Sequence, residues 1–239
     1  MEIRLQKILA QAGYGSRRKC EVLIQQERVL VNGKTAILGS KADPERDSIT
    51  VDDIPIRESE KKNYILLHKP KGVLSTVSAP DKRPTVRSLV DLPGRLYPVG
   101  RLDLDSEGLI LLTNDGLLTY QLTHPSFDHE KEYRVQVLRP PNKSQLKAWR
   151  AGLVLDDGSR TRPAQVWIEH QDPKGAWMGV ILKEGKKRQI RRMAESTGLR
   201  VKRLIRVRMA NLKLGDLPSG SWRKLYKSEI DELQHLVSD

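Results

Sequence analysis

Between Val99 and Gly116 the chain carries three carboxylates, Asp103, Asp105 and Glu107, at alternate positions between Gly100 and Gly108. Acids so close together can bind a cation, divide acid and base roles, or pair with nearby Lys and Arg. The start of the pattern imitates a calcium loop of the EF-hand type, but the twelfth position, which must be a bidentate Glu, is Asn114. Flanking helices are absent as well. Two carboxylates beside a sugar would suit glycosidic chemistry, with one acid and one base or nucleophile. No phosphate-binding Gly-rich loop, zinc-helix His pair or Gly-x-Ser-x-Gly elbow is present, so nucleotide hydrolysis, metalloprotease and serine hydrolase chemistry lack support. A surface turn is the alternative for the acids taken alone.

The elements around the loop must position it. Leu109 to Leu112 form an apolar run bounded by Gly108 and Asn114-Asp115-Gly116, which reads as a short buried strand and a turn. The acids are therefore expected on a loop leading into the core. Upstream, Asn63 to Leu67 reads as a strand and Lys69-Pro-Lys-Gly72 as the sharp turn that ends it. Leu117 to Leu122 has helical spacing, and Lys131 to Val137 alternates so that Tyr133, Val135 and Val137 share one face. Helices are expected over Ser144–Arg150, ended by Gly152, over Lys187–Thr197, ended by Gly198, and over Ser228–Leu236. Strands are expected over Val166–Glu169, Trp177–Lys183 and Leu204–Leu214. Strands and helices without regular alternation predict an α+β fold.

The chain has 239 residues and a formal charge of +13. Between Lys183 and Arg208 eleven Lys or Arg face two Glu, so this segment holds most of the excess charge. Such concentration points to a polyanion, against the alternative of a solvated basic helix face. The lone Cys20 excludes an internal disulfide and, with five scattered histidines, gives no support to a cysteine-based zinc site, and a reducing cytoplasm is expected. Apolar runs fall far short of the roughly 18 residues a membrane span needs, and Met1-Glu-Ile-Arg lacks the order of a secretion signal.

The first sixty residues have their own pattern. Ile3 to Ala12 is helical in spacing with Gly13 at its end, and Ser16 is the N-cap of a second helix that turns Cys20, Leu23 and Ile24 inward. Val29–Val31 and Thr35–Ile37 flank Asn32-Gly33, which favours a type I′ hairpin turn. Arg17, Arg18 and Lys19 occupy the first turn of the second helix, where its dipole disfavours cations and an anionic ligand would offset that effect. With Arg4-Leu-Gln-Lys7 and Arg28-Val-Leu-Val-Asn-Gly33, this order resembles the small alpha-L RNA-binding domain of a small-subunit ribosomal protein. The resemblance implies Arg4, Lys7, Arg17, Arg18, Lys19 and Arg28 as phosphate contacts, which position RNA without reading its sequence. A linker is expected near residues 57 to 62, giving domains at 1–60 and 63–239.

Across nearly the whole chain, Lys69-Pro-Lys-Gly72, Gly100-Arg-Leu-Asp103, His124-Pro125, Lys131-Glu-Tyr133 and Glu184-Gly-Lys-Lys-Arg-Gln-Ile-Arg-Arg-Met193 together resemble the RNA pseudouridine synthases. Within them the chain is similar to the ribosomal RNA branch typified by RsuA and RluB, which places an alpha-L domain before the catalytic domain. The resemblance implies a catalytic domain with a mixed, mainly antiparallel sheet and a central cleft. It further implies isomerisation of uridine to pseudouridine without metal or organic cofactor: the C1′–N1 bond breaks, the base turns, and C5 is joined to C1′. Asp103 would be the essential aspartate, attacking C1′, adding to C6, or removing a ribose proton. Arg191 would be its cationic partner, and Tyr133 would stack on the uracil and assist proton loss at C5; a core aromatic is its alternative. Arg101 would fill the space left by the extruded base. Lys69, Lys71, Lys131, Lys186, Lys187 and Arg188 would border the cleft and hold phosphates. Asp105 and Glu107 would shape the loop or pair with neighbouring cations. Related chains commonly have Gly where this one has Ala210.

The expected substrate is ribosomal RNA, most directly that of the large subunit (23S), free or in a pre-ribosomal particle. A small-subunit (16S) synthase of the same branch and a non-catalytic ribosome-assembly factor are the alternatives. A monomer that binds no membrane is expected.

Overall fold

The computed structural model describes residues 1–57 and 60–237, in two compact units, Met1–Lys62 and Asn63–Asp239. Glu58 and Ser59, in the expected linker, lie outside the described residues.

The first unit comprises β1 (Ile3–Arg4), α1 (Leu5–Gln11), α2 (Arg17–Gln25), β2 (Val29–Val31), β3 (Lys34–Thr35), β4 (Lys41–Ala42), β5 (Ile49–Val51) and β6 (Ile54–Pro55). Helix α1 starts later than its apolar spacing suggests, because Ile3 and Arg4 pair with Ala42 and Lys41. The Ser16 hydroxyl accepts from the Lys19 N–H at 3.2 Å, as expected of an N-cap. Asn32 and Gly33 both have positive φ, 51° and 74°, and turn β2 into β3 as a type I′ hairpin. Strand β3 is shorter than expected: Ala36 is buried in the core while Ile37 lies exposed beyond the pairing. Leu5, Leu9, Cys20 and Ile24 from the helices pack on Val29, Ile49 and Val51 from the sheet.

The second unit is built on one sheet. Its strands are β7 (Tyr64–Lys69), β8 (Tyr97–Pro98), β9 (Glu107–Thr113), β10 (Lys131–Val137), β11 (Gln165–Asp172), β12 (Gly175–Leu182), β13 (Val201–Met209), β14 (Leu212–Lys213) and β15 (Trp222–Lys224). The helices are α3 (Gly116–Thr123), α4 (Lys143–Ala151), α5 (Gln189–Ser196) and α6 (Lys227–Leu236). The order is β11-β12-β10-β13-β9-β7-β15, with β14 on β13 and β8 on β9. Among the described strands every pairing in this sheet is antiparallel except β13 with β9, which is parallel through Ile205↔Glu107 and Arg206↔Gly108.

Strands β7 and β9 read as continuous apolar runs because both faces are covered. Leu66, Leu109 and Leu111 pack with α3 and α6, while Ile65, Leu67, Ile110 and Leu112 pack on the opposite face against Val73, Val86 and Leu102. At the other end of the sheet, α4 and α5 close a core around Trp149, Met178 and Met193. Asn142 caps α4 with a reciprocal bond to Gln145. Helix α5 begins two residues later than expected: Arg188 sits before it with φ +52°, so Lys187 and Arg188 lie on the preceding loop. The strand expected over Leu204–Leu214 is divided by a turn at Ala210, whose φ is +51°.

Candidate active site

The parallel junction of β13 and β9 is where the acidic loop enters the sheet. The loop is fixed from below by backbone and side-chain bonds. Gly72 N–H donates to the Leu104 carbonyl at 2.8 Å, and the Ser75 hydroxyl donates to the Leu102 carbonyl while accepting from its N–H. The Lys69 ammonium, wholly buried, donates to the Ser106 carbonyl at 2.8 Å and to that of Pro70 at 3.0 Å. Its pKa is pushed down to about 8 by burial, against the pull of Asp105, Asp103 and Glu107. The turn and the strand-end lysine at residues 69–72 thus set the backbone from which Asp103 projects.

The three acids have separate partners. Glu107 is not on the loop, as expected, but is the first residue of β9, nearly buried and held bidentately by Arg203 at 2.9 and 3.2 Å. Lys71 stands 3.7 Å from the same carboxylate. The Arg203 bond and then the neighbouring cations hold the Glu107 carboxyl below its ordinary range. Asp105 accepts from Arg188 Nη1 at 3.2 Å and forms an ion pair with Arg191, whose Nε lies 3.2 Å away without hydrogen-bond geometry, and its carbonyl accepts from Arg191 Nη2 at 2.9 Å. Arg191 therefore pairs with Asp105 and not with Asp103, because the turn at Leu104–Asp105 carries the second acid toward α5. Among the described residues the Asp103 carboxylate has no hydrogen bond or ion pair.

Asp103 opens instead onto a cleft of about 530 Å³. Arg101, Asp103, Ser106, Tyr133 and Arg206 line it, together with Lys131, His124 and the Lys186–Arg188 loop. Tyr133 is partly exposed and packs against two hydrophobic clusters, that around Trp149 and Met178 and that around Ile65 and Ile110. Lys131 has a lowered pKa, first through burial and then through the charge of Arg206. A carboxylate without a counter-ion, an aromatic face and several cations in one concave site can take up an anionic chain and an extruded ring, then act on a bond between them.

A family model described as RNA pseudouridylate synthase matches residues 63–196, and one described as S4 domain matches residues 3–45. The chain belongs to the RNA pseudouridylate synthase family. A Bacillus subtilis relative, ribosomal large subunit pseudouridine synthase B, is 39% identical over 98% of this synthase and 96% of its own length. An Aquifex aeolicus relative described as an uncharacterized RNA pseudouridine synthase is 39% identical over 98% and 94%. A crystal structure of a pseudouridylate synthase superposes with a TM-score of 0.69 at 31% identity, covering 97% of this chain and 99% of the other.

In this synthase two of the expected phosphate-holding lysines do other work. Lys69 cannot border the cleft, because it is enclosed under the loop, and Lys71 faces Glu107. Lys131, Lys186, Lys187 and Arg188 do line it. Sequence reasoning passed over Arg206 as one more charge in a basic run. Its signal is register: Arg206 shares the inward face of β13 with Leu204 and is 2% exposed. In the S4 unit Arg4, Arg17, Arg18 and Lys19 are exposed and Lys7 partly so. Arg28 is already engaged by Asp52 through two bonds of 2.5 and 2.8 Å, which weakens its claim as a phosphate contact.

No helix among the described residues is long and apolar enough to cross a membrane.

Proposed function

We propose that this synthase converts a uridine of 23S ribosomal RNA, in the large subunit, to pseudouridine, acting as a cytoplasmic monomer. The observation that carries the reading is the Asp103 carboxylate, carried on a loop whose backbone is fixed, without a hydrogen-bond or ion-pair partner among the described residues, and lining the same cleft as Tyr133 and Arg206. The substrate class follows from the large-subunit synthases at 39% to 41% identity across 98% of the chain. Base extrusion costs a few kcal/mol, and Arg101, exposed at the cleft edge, fills the vacated stack. Tyr133 supports the base, and Asp103 acts in its ionised form at the ribose or the ring. The cations of the 186–188 loop hold flanking phosphates, and those of the S4 unit hold RNA farther from the target.

Tritium release from RNA labelled at uridine C5 tests the reading. The natural protein is expected to release tritium from 23S RNA or its particle and not from 16S RNA, and Asp103→Asn is expected to release none while keeping RNA affinity. Release from 16S RNA alone would overturn the substrate, and a fully active Asp103→Asn would overturn the catalytic role.

A further inference from the structure

Arg206 is a charged residue in a core position with one side unused. Its Nε donates to the Leu109 carbonyl at 2.8 Å, but Nη2 is buried and has no partner among the described residues. Lys131, beside it in the cleft, spends its ammonium on the His129 carbonyl at 3.0 Å, not on a carboxylate. Of the acids around it, Glu130 and Glu132 are committed to Arg208, Asp105 to Arg188 and Arg191, and Glu107 to Arg203, while Asp103 lines the same cleft but forms no ion pair with Arg206 among the described residues. An uncompensated buried cation is strongly unfavourable, and a guanidinium nitrogen without an acceptor adds to that. The sheet nevertheless imposes both, since Arg206 is set opposite Tyr133 on β10 and opposite Gly108 on β9. That register makes Arg206 the cross-strand neighbour of Tyr133, and both line the cleft together with Asp103.

We infer that Arg206 is a further catalytic residue, which donates from its free edge to a carbonyl oxygen of the target uracil and holds the charge the base gains in the reaction. The inference rests on the reading of the cleft as the seat of isomerisation. When the C1′–N1 bond opens, its electron pair leaves with the base and spreads over N1, O2 and O4. The pair returns when C5 bonds to C1′; C5 then loses its proton and N1 takes one up, so no further reactant is needed. A fixed cation in a water-poor site favours the charged base over the neutral one, which is the condition for lowering a barrier and not merely for binding.

Two variants and one small cation test this on the full chain with C5-tritiated 23S RNA under single-turnover conditions. Arg206→Ala and Arg206→Met are each expected to slow tritium release about 10²- to 10³-fold, the usual effect of removing one charge-stabilising donor, with RNA Kd and melting temperature nearly unchanged. Millimolar guanidinium chloride should restore at least about a tenfold part of the loss in Arg206→Ala, where the side chain leaves space. It should restore nothing in Arg206→Met, where that space is filled, and sodium chloride at equal ionic strength should restore neither. A rate within about threefold of the natural protein in Arg206→Met, or a loss carried wholly by Kd, overturns the inference, as does equal recovery with sodium. If Arg206→Ala does not fold, the Arg206→Met rate and Kd decide alone. A natural protein that releases no tritium removes the proposed reaction itself, a result distinct from a variant that behaves as the natural protein does.

Discussion

At Asp105 two guanidinium groups converge on one carboxylate, while two residues earlier Asp103 has none. The two acids should therefore fail in different ways. Asp105→Ala removes the carboxylate from the nearly buried Arg191 and leaves it only the backbone carbonyl of residue 105; because Asp105 itself is half exposed, the loss of stability should be about 1–2 kcal/mol, read by urea unfolding. Asp103→Asn removes no contact and should leave the unfolding midpoint unchanged while abolishing turnover. A destabilised Asp103→Asn would show that its carboxylate has a structural partner. Lys69 gives a pH signature. Its folded pKa, about 8, lies below the ordinary lysine value of 10.5. Between those values the unfolded chain binds more protons than the folded one, so this residue makes stability rise with pH from about 8 to about 10.5 and adds no slope below that window. The slope should be flatter in Lys69→Met when unfolding is measured across pH 7.5 to 10.5; identical slopes would refute a depressed pKa.

Strands β9 and β13 approach each other closely where they run parallel. A Cβ on Gly108 would lie 2.3 Å from the Arg206 carbonyl oxygen and 2.5 Å from its nitrogen, and φ there is +109°. Gly108→Ala should cost at least about 3 kcal/mol, since neither backbone can yield without breaking the ladder. Unfolding of the purified variant near the natural midpoint would contradict the close approach. The β13–β14 turn presents the reverse case. Ala210 holds φ +51°, a region that L residues enter at a cost of about 1–2 kcal/mol. Ala210→Gly relieves that strain and adds backbone entropy to the unfolded chain, so a net gain of up to about 1 kcal/mol is expected in urea unfolding.

Over the whole molecule the charge of +13 acts through release of counter-ions from RNA. If about five phosphates are contacted, affinity should fall roughly a hundredfold between 50 and 200 mM salt. A Kd independent of salt would remove the phosphate-binding roles of the 186–188 loop and of Arg17, Arg18 and Lys19. Arg208, although in the basic run, should contribute little, because Glu130 and Glu132 hold it at 3.1 and 2.9 Å.

The elements were legible in the residues for local reasons: Ser16 caps its helix, Asn32-Gly33 turns its hairpin, and the Leu109–Leu112 run is a strand covered on both faces. The motifs around Asp103, Tyr133 and the 184–193 stretch carried the family. The partners within the site were not legible, because an ion pair depends on where loops distant in sequence are brought together. Tertiary structure gave Arg191 to Asp105, enclosed Lys69 beneath the loop and turned Arg206 inward. Composition could count the cations between Lys183 and Arg208; only strand register and loop direction decided which of them face the cleft and which are neutralised beside it.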